Sequence, residues 1–544
     1  MGIYKEKSLP DGISIVLLLL SFLVLFQPWN LELRELSRLE GLFAAEAQDL
    51  SLSNWLVVSA HGAIIHNAFP LYPILVRLLY DTAGISMELA LRLVSLFMLF
   101  ATAILVYLAA ASNRTSRAGI AASAMYISCS LVIEKGIEGN PVTTTAFFLL
   151  ASHLLLFHFG FRKSNWSLGW IVSLLLMTFG FFSGGFLALL YFAFPILFFR
   201  RPLAVKSKFK KAGFWIGLLF LAGTIAHWGL ISWDMSHKLP LQMTWWGQEG
   251  FLDYLKSVLF FPIDLTIRLL PWTLIAWIPF CVALQALDKT PIFSRFLRTL
   301  TFSNLALIWL LPRSDIRELL YILAPLAILT GIYYDTGMCR YGQKVRKLLP
   351  AGEWGMLVLA LVIVLLCFAP ERYLEIFASI EKSMDFTSEQ SYQYRAWGAI
   401  ILLSLAFVAI RYCRNTRPVW LILLVTAGGY AIFFGSVQIP YRAQNRQRHE
   451  FGNSLKQALA NEETVPKLYK YGIVGLYSEL HYSNQKIVQI NELDEIPQDE
   501  KVVYLLSGEF PQIPEREWNN LLPGDFEYDG HRLMLWKGVI RLPQ

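Results

Sequence analysis

Long apolar runs separated by short charged loops are the feature that most limits what this 544-residue chain can become. Runs of roughly 17–25 residues with few charges are long enough to cross a bilayer as helices, and about thirteen are found. Only 16% of the residues are charged, against about 25% in soluble domains. The sequence therefore predicts an all-α polytopic membrane domain. Its predicted spans lie near residues 13–28, 89–111, 117–133, 142–160, 167–182, 184–199, 212–232, 268–287, 297–312, 318–335, 354–369, 396–411 and 418–436.

Basic residues gather in alternate loops, for example KSKFKK at 206–211 and the loop that contains Arg340 and Lys347. These loops share the side of the N-terminus if the helices alternate, and the positive-inside rule makes that side cytoplasmic. The first apolar run has no small-residue cleavage site, so we interpret it as an uncleaved helix. We expect a multi-pass membrane protein with a cytoplasmic N-terminus and, because the predicted helix count is odd, a C-terminus on the outer side. Orientation explains the basic patches, and no nucleic acid partner is expected.

The composition changes near residue 439, which predicts a membrane domain over 1–438 and a small α/β domain over 439–544 on the outer side, which is the periplasm in a bacterium. KLYKYGIVGLY, QKIVQI, KVVYLLS and HRLMLWKGVI have the composition of strands. SLKQALAN and REWNNLL are predicted to be helical.

The loops on the predicted outer side hold most of the polar side chains that could carry chemistry. The first loop, 29–88, contains RLEGLFAAEA at 38–47, in which Glu40 and Glu46 are candidate bases. A single loop glutamate is more often a solvated charge. The second loop holds Glu138 and Asn140, which form either a site near the membrane surface or a polar turn.

Two arginines frame the short loop RSDIR at 313–317. Guanidinium groups suit phosphate oxygens, so Arg313 and Arg317 are candidates for holding a phosphate. The alternative is that they reach towards lipid headgroups. The five cysteines have no metal-ligand spacing. No nucleotide cofactor and no metal site are predicted from motifs, and a divalent metal stays open.

Six segments together resemble one family of membrane enzymes. They are RLEGLFAA, HNAFPLYPIL, ELALRLVSL, GIEGNPVTTTAFF, LPWTLIAW and RELLYILAPLAIL. In order and spacing they are similar to motifs of the bacterial aminoarabinose transferase and protein O-mannosyltransferase superfamily, which has the GT-C fold. The resemblance extends over nearly the whole chain, including the exported tail.

The resemblance implies a glycosyltransferase that moves a sugar from a polyprenyl-phosphate carrier to a lipid-linked or exported acceptor on the periplasmic face. It implies Glu40 as the catalytic base and Arg313, Arg317 and Tyr321 as ligands of the donor phosphate. Further candidates for the substrate site are Arg38, Glu46, His66, Asn67, Glu138 and Asn140. The expected partners are the lipid-linked donor, the acceptor and membrane lipids, and the protein is expected to be a monomer.

The chain departs from the family pattern at several polar positions. Leu39 stands where the family has Asp, and Asn67 and Ala68 stand where it has a Glu-Lys pair. Asn140 replaces the second-motif Asp. These losses favour an alternative, a catalytically weak member that binds lipid carriers or partners as a scaffold. A transporter ranks lower, because the sequence shows no internal repeat of the kind common in transporters.

Overall fold

Helices dominate the described part of the chain up to residue 433. A computed structural model describes residues 11–50, 55–65, 68–199, 205–236, 251–311, 315–367, 419–433, 446–460 and 467–540, apart from short breaks at 474, 499, 512, 514–515, 523–526 and 529–530. Its helices before the tail are α1 Asp11–Phe26, α2 Arg38–Asp49, α3 Leu71–Ala83, α4 Met87–Asn113, α5 Ser116–Ser128, α6 Ser130–Lys135, α7 Pro141–Leu156, α8 Trp166–Leu197, α9 Ala212–Ser236, α10 Phe251–Arg268, α11 Thr273–Ala276, α12 Val282–Gln285, α13 Pro291–Leu310, α14 Leu320–Cys367 and α15 Val419–Phe433.

Among the described residues, six helices are long and apolar enough to cross a membrane, which confirms the prediction of a multi-pass membrane protein. They are Gly12–Leu33, Met87–Asn113, Pro141–Arg162, Trp166–Leu197, Ala212–Asp234 and Ile316–Lys347. A seventh candidate is the pair Tyr254–Arg268 and Thr273–Phe280, bent by 107°. The predicted number of about thirteen is not confirmed in the described part of the chain. One predicted span, 396–411, lies outside the described residues.

Several predicted spans have a different form in the structure. The segments 167–182 and 184–199 are joined in α8, which breaks at Gly185 with φ 64° and ψ −150°. This backbone conformation suits glycine, which lacks a Cβ atom. The predicted helix over 268–287 is wrong as one element, because the segment forms only the short helices α11 and α12 and a 3-10 turn at Ile278–Phe280. Pro271 and Pro279 interrupt it, since proline has no N–H to donate.

The chain divides into two compact units. Unit 1 comprises Met1–Arg34, Arg92–Ala226 and Met243–Gln444, and unit 2 comprises Glu35–Leu91, His227–Gln242 and Asn445–Gln544. Unit 2 thus combines most of the first loop with the C-terminal tail. The predicted boundary between residues 438 and 439 stays a prediction.

The tail is a small sheet domain. It contains the helices α16 Gln447–Leu459 and α17 Tyr477–Tyr482 and the strands β3 Lys467–Tyr471, β4 Lys486–Ile490, β5 Val502–Ser507, β6 Arg516–Asn520 and β9 Met534–Ile540. In the first loop, the short strand β1 Ser59–Ala60 pairs with β2 Ala63–Ile64. In the tail, β7 Glu527–Tyr528 pairs with β8 His531–Arg532. The main sheet has the order β4-β3-β5-β9-β6. β3 pairs in parallel with β4 and β5, whereas β9 is antiparallel to β5 and β6.

Apolar side chains cover both faces of this sheet. Leu468 of β3 and Leu506 of β5 belong to a core with Leu455 of α16. Their neighbours Tyr469 and Leu505 on the same two strands pack in a second core with Trp518 of β6. Each of the four segments predicted as strands contains one, but in KLYKYGIVGLY the strand covers only residues 467–471, and Tyr477 already begins α17. The helix at SLKQALAN is confirmed. The helix predicted at REWNNLL is wrong, because its residues 516–520 form β6 with alternating burial that turns Trp518 inward.

Candidate functional site

Glu40 lies in the first turn of α2, in unit 2. Ser37 is the N-cap of this helix, and the Glu40 carboxylate accepts a hydrogen bond from the Ser37 N–H at 2.8 Å. This reciprocal capping box satisfies two backbone donors at the start of the helix. The Glu40 side chain is buried, whereas Arg38 and Leu39 beside it are exposed. The candidate base therefore has a structural contact that also fixes its direction.

The tail holds the segment that leads into α2. The Ser478 hydroxyl donates to the Ser37 carbonyl at 2.8 Å, and the Leu36 N–H donates to the Tyr482 hydroxyl at 2.9 Å. Gly41 is so close to α17 that a Cβ atom there would lie 2.4 Å from the Ser478 backbone nitrogen. Residues of the tail thus determine where Glu40 sits within unit 2.

Glu46 lies two turns further along α2, near a group of buried ionisable side chains. Burial raises the pKa of Glu46 to about 8. Burial, together with the charges of Lys470 and His481, lowers the pKa of His61 to about 3. The His61 ring lies 5.0 Å from that of Tyr477, and the Lys470 ammonium lies 4.7 Å from the same ring. Burial also lowers the pKa of Lys470 to about 8, so these groups titrate far from their ordinary values.

Glu138 is the centre of an ionic network in unit 1. Its carboxylate lies 2.9 Å from the Arg317 guanidinium, 3.3 Å from Arg34 and 3.0 Å from the Lys135 ammonium. The carboxylate is almost fully buried, and desolvated charges persist when they are paired. Asp315 adds an ion pair to Arg317 at 3.5 Å.

The network continues through Glu134. Its carboxylate forms an ion pair with Arg268, the last residue of α10, and lies 3.7 Å from Lys135. Arg268 also pairs with Asp264 at 3.4 Å. The loop after α6, the end of α10 and the start of α14 are thereby joined by charge.

Arg317 has one donor that the network does not use. Its Nε atom is buried and has no hydrogen-bond partner among the described residues. Nearby, the Tyr191 hydroxyl donates to Glu318 at 2.6 Å, and the Tyr191 ring lies 4.9 Å from that of Tyr321. Buried unsatisfied polar atoms are rare in folded proteins, and a bound ligand is one explanation for them.

Asn140 has a structural role. It is the N-cap of α7, and its side-chain oxygen accepts from the Val142 N–H at 3.0 Å. Its amide nitrogen donates to the Glu138 carbonyl at 3.1 Å. Both polar atoms of the Asn140 side chain are therefore engaged.

The structure brings some of the predicted site residues together within each unit. In unit 1, Glu138, Asn140 and Arg317 share one network, and Tyr321 follows Arg317 by one turn. In unit 2, Arg38, Glu40 and Glu46 share α2. Arg313, His66 and Asn67 lie outside the described residues.

Sequence reasoning missed Arg34, Lys135 and Arg268 as members of the network. Arg34 and Glu138 are 104 residues apart in the chain, and Arg268 and Glu134 are 134 apart. One signal was available, since ionisable residues at the ends of apolar runs are candidates for function. Among the described residues, no three His, Cys, Asp or Glu side chains are grouped as metal ligands.

No protein-family model matches the chain, and neither does any curated protein. Solved structures do match. ArnT from Cupriavidus metallidurans bound to undecaprenyl phosphate gives a TM-score of 0.73 at 13% sequence identity, over 97% of this chain and 98% of that chain. Its apo form gives 0.70 at 14%, with the same coverage. The chain has the fold of ArnT.

This finding confirms the GT-C fold predicted from the motif resemblance. The Archaeoglobus fulgidus oligosaccharyltransferase is more distant, with a TM-score of 0.45 at 11% identity over 89% of this chain and 65% of that chain. Because likeness at such low identity concerns the fold, the activity has to be argued from the site.

Proposed function

We propose that this chain is an integral-membrane glycosyltransferase that moves a sugar from a polyprenyl-phosphate carrier to a lipid-linked or exported acceptor on the periplasmic face. The observation that carries the proposal is the buried Arg317 guanidinium, whose Nε has no hydrogen-bond partner among the described residues. A fork of N–H donors fits a phosphate oxygen. The ArnT fold supports the same reading, because that protein was crystallised with undecaprenyl phosphate.

The reaction exchanges one bond at the anomeric carbon. The acceptor oxygen bonds to this carbon while the bond from the carbon to the phosphate oxygen breaks. The electron pair leaves with the polyprenyl phosphate, and Glu40 takes the proton of the acceptor. Arg317 stabilises the negative charge that grows on the leaving phosphate, with Arg313 and Tyr321 as its proposed neighbours. His66, Asn67 and Arg38 remain candidates for contacts to the sugar or the acceptor.

The ionic network suggests how the phosphate would enter. The four basic residues Arg34, Lys135, Arg268 and Arg317 face four carboxylates, Glu134, Glu138, Asp264 and Asp315. A network balanced in this way has no excess positive charge for a phosphate. The carrier phosphate therefore has to compete with the Glu138 carboxylate for the Arg317 guanidinium. Glu138 is the anion that pairs with this guanidinium when no phosphate is bound.

Transfer is tested with the purified protein in nanodiscs and a panel of polyprenyl-phosphate sugars. Release of polyprenyl phosphate, measured by mass spectrometry, reports cleavage for any sugar. We expect release by wild type and loss in Arg317→Ala. Arg77→Ala is the matched control, because Arg77 is an arginine paired with Asp81 on the surface of α3. Absence of release by wild type with every donor in the panel would contradict the proposal.

A second candidate is a scaffold that binds carriers without transferring sugar. Two observations favour it: Asn140 is engaged as a helix cap, and Glu40 is engaged in a capping box. Both positions correspond to acidic motif residues of the family. In the same experiment a scaffold retains polyprenyl phosphate in an Arg317-dependent manner but releases none from the donors.

The orientation is part of the proposal, with the basic loops in the cytoplasm and the tail in the periplasm of a bacterial inner membrane. Lys210 and Lys467 are both exposed and lie in the two predicted compartments. Cysteine substitutions at these positions, treated with a membrane-impermeant thiol reagent on spheroplasts, are expected to label at 467 alone. Labelling at 210 alone would reverse the orientation.

A further inference from the structure

A groove of about 600 Å³ lies between α8 and α13 in unit 1. One face of α13 forms its floor, because Pro291, Arg295, Phe302 and Ala306 all line it and recur at spacings close to a whole number of helical turns. The C-terminal part of α8 forms the wall, where Phe194 and Phe198 are one turn apart. None of these residues belongs to the network around Glu138.

The chemistry of the groove changes along its length. Arg295 and Arg298 line it near the start of α13, and Phe302 and Ala306 line it further along. At about 1.5 Å per residue, the distance from Arg295 to Ala306 is roughly 17 Å. This is close to half of a hydrocarbon core that is about 30 Å thick. The groove therefore has the dimensions of one leaflet, with a cationic end and an apolar end.

The cationic end is preorganised. The Arg298 Nε donates to the Ser294 carbonyl at 3.3 Å, and its guanidinium also donates to the Tyr333 hydroxyl at 3.4 Å. Asp288 lies 3.9 Å from the same guanidinium and accepts from Tyr333 at 2.5 Å. These contacts fix the direction of Arg298, while Arg295 stands exposed one turn earlier on α13.

Aromatic contacts identify the end of unit 1 at which the arginines lie. The Phe157 ring lies 4.8 Å from Phe293, and the Phe199 ring lies 5.1 Å from Phe296. Phe157 begins the segment that ends at Arg162 and leads into a basic loop. Arg295 and Arg298 are therefore at the end of unit 1 that carries the basic loops. The positive-inside rule predicts that this end is cytoplasmic, and the cytoplasmic leaflet is the one that contains anionic lipids.

We propose that this groove binds one anionic glycerophospholipid from the leaflet at the basic-loop end. Its phosphodiester contacts Arg295 and Arg298, and one acyl chain lies between Phe198 and Phe302. Free phosphate lacks the chain that would cover these two rings, which are about half exposed. The site is separate in its residues from the proposed donor site, and the inference does not depend on sugar transfer.

The test uses native mass spectrometry of the full-length protein released from nanodiscs. The nanodiscs contain phosphatidylcholine with increasing amounts of phosphatidylglycerol. We expect wild type to retain one phosphatidylglycerol molecule in preference to phosphatidylcholine. Arg295→Gln is expected to weaken this retention about fivefold, in line with the contribution of one basic residue to an anionic lipid surface. Because Arg295 is exposed, this variant is expected to fold.

Two variants separate the headgroup from the chain. Ala306→Trp fills the apolar end without removing an arginine and is expected to abolish selective retention. Arg340→Gln removes an exposed arginine of α14 that does not line the groove, and it is expected to retain the lipid as wild type does. Equal retention by wild type and Arg295→Gln, or displacement of the lipid by millimolar inorganic phosphate, would overturn the proposal. Retention of polyprenyl phosphate at this site in place of phosphatidylglycerol would also overturn it.

Discussion

The two units treat buried carboxylates in opposite ways. In unit 1, Glu138 is surrounded by the basic side chains of Arg34, Lys135 and Arg317. In unit 2, Glu46 is buried among groups that do not neutralise it, and desolvation raises its pKa to about 8. Paired charges persist over a wide pH range, whereas an uncompensated buried acid gains or loses its proton near neutrality. Unit 1 should therefore respond mainly to the charge of a bound ligand, whereas the stability of unit 2 should respond mainly to the pH of the solution.

The largest effect is expected from Glu40→Gln, which tests whether the acids of unit 2 take part in the reaction at all. Gln keeps the size of the side chain but does not accept the acceptor proton. Transfer should fall by roughly a hundred- to ten-thousand-fold, while carrier binding stays near wild type. The rate of polyprenyl phosphate release is the measurement, and Glu517→Gln, at an exposed glutamate of unit 2, is the matched control. Equal rates in Glu40→Gln and wild type would remove Glu40 from the mechanism and make Glu46 or Glu138 the next candidate.

The second effect concerns the paired charges of unit 1. Arg317→Ala should weaken carrier binding by about ten- to a hundredfold, because a buried charge-assisted contact to phosphate is lost. Glu138→Gln should have the opposite sign and strengthen binding several-fold, since it removes the competitor for Arg317. Titration with polyprenyl phosphate in nanodiscs measures both variants. Weaker binding in Glu138→Gln would mean that the carboxylate orients Arg317 and does not compete for it.

The third effect is on the packing that holds α2 in unit 2. A Cβ atom at residue 41 would meet the backbone of Ser478, and backbone cannot move aside as a flexible side chain can. Gly41→Ala should therefore cost about 1 to 3 kcal/mol of unfolding free energy. Gly229→Ala is the control in the same unit, because a Cβ atom there meets nothing within 4 Å. Chemical denaturation followed by hydrogen exchange in residues 467–540 distinguishes the two, and equal stability would refute the close approach.

The smallest effect is the pH dependence of unit 2. The pKa of Glu46 is raised by folding, so its contribution to stability is complete below pH 4.5 and is lost as the pH rises towards about 8. The pKa of His61 is lowered, so its contribution is complete above pH 6.5 and is lost as the pH falls towards about 3. Glu46→Gln should remove only the alkaline loss and stabilise unit 2 by about 1 to 2 kcal/mol at pH 8. Melting curves at pH 5 and pH 8 test this, and a wild type with no loss between them would contradict it.

The sequence predicted those parts of the fold that depend on local patterns. The strands at KLYKY and KVVYLLS follow from apolar, aromatic and β-branched residues close together in the chain. REWNNLL was misjudged because its short apolar pattern fits a helix, and only the pairing of β6 with β9 makes it a strand. The segment 268–287 was predicted as one helix because its composition is apolar. Pro271 and Pro279 within it indicate the break that the structure shows.

The contacts within the candidate site could not be predicted from local sequence patterns. The position of Glu138 on a polar turn was visible, but its partners Arg34 and Arg317 come from distant parts of the chain. The burial of Glu46 was hidden for a similar reason, since α2 packs partly against α17 of the tail. Local motifs identify the polar residues, and the tertiary structure decides which of them are paired.

The contact between Gly41 and Ser478 has a consequence for how the protein is made. Residues 35–91 and 445–544 belong to one folding unit, yet about 350 residues separate them in the chain. At a synthesis rate of about 5 to 20 residues per second, the first segment has to wait roughly 20 to 70 s for its partner. During that interval α2 lacks the surface of α17 that packs against Gly41, so newly made chains should depend on chaperones of the compartment in which unit 2 assembles.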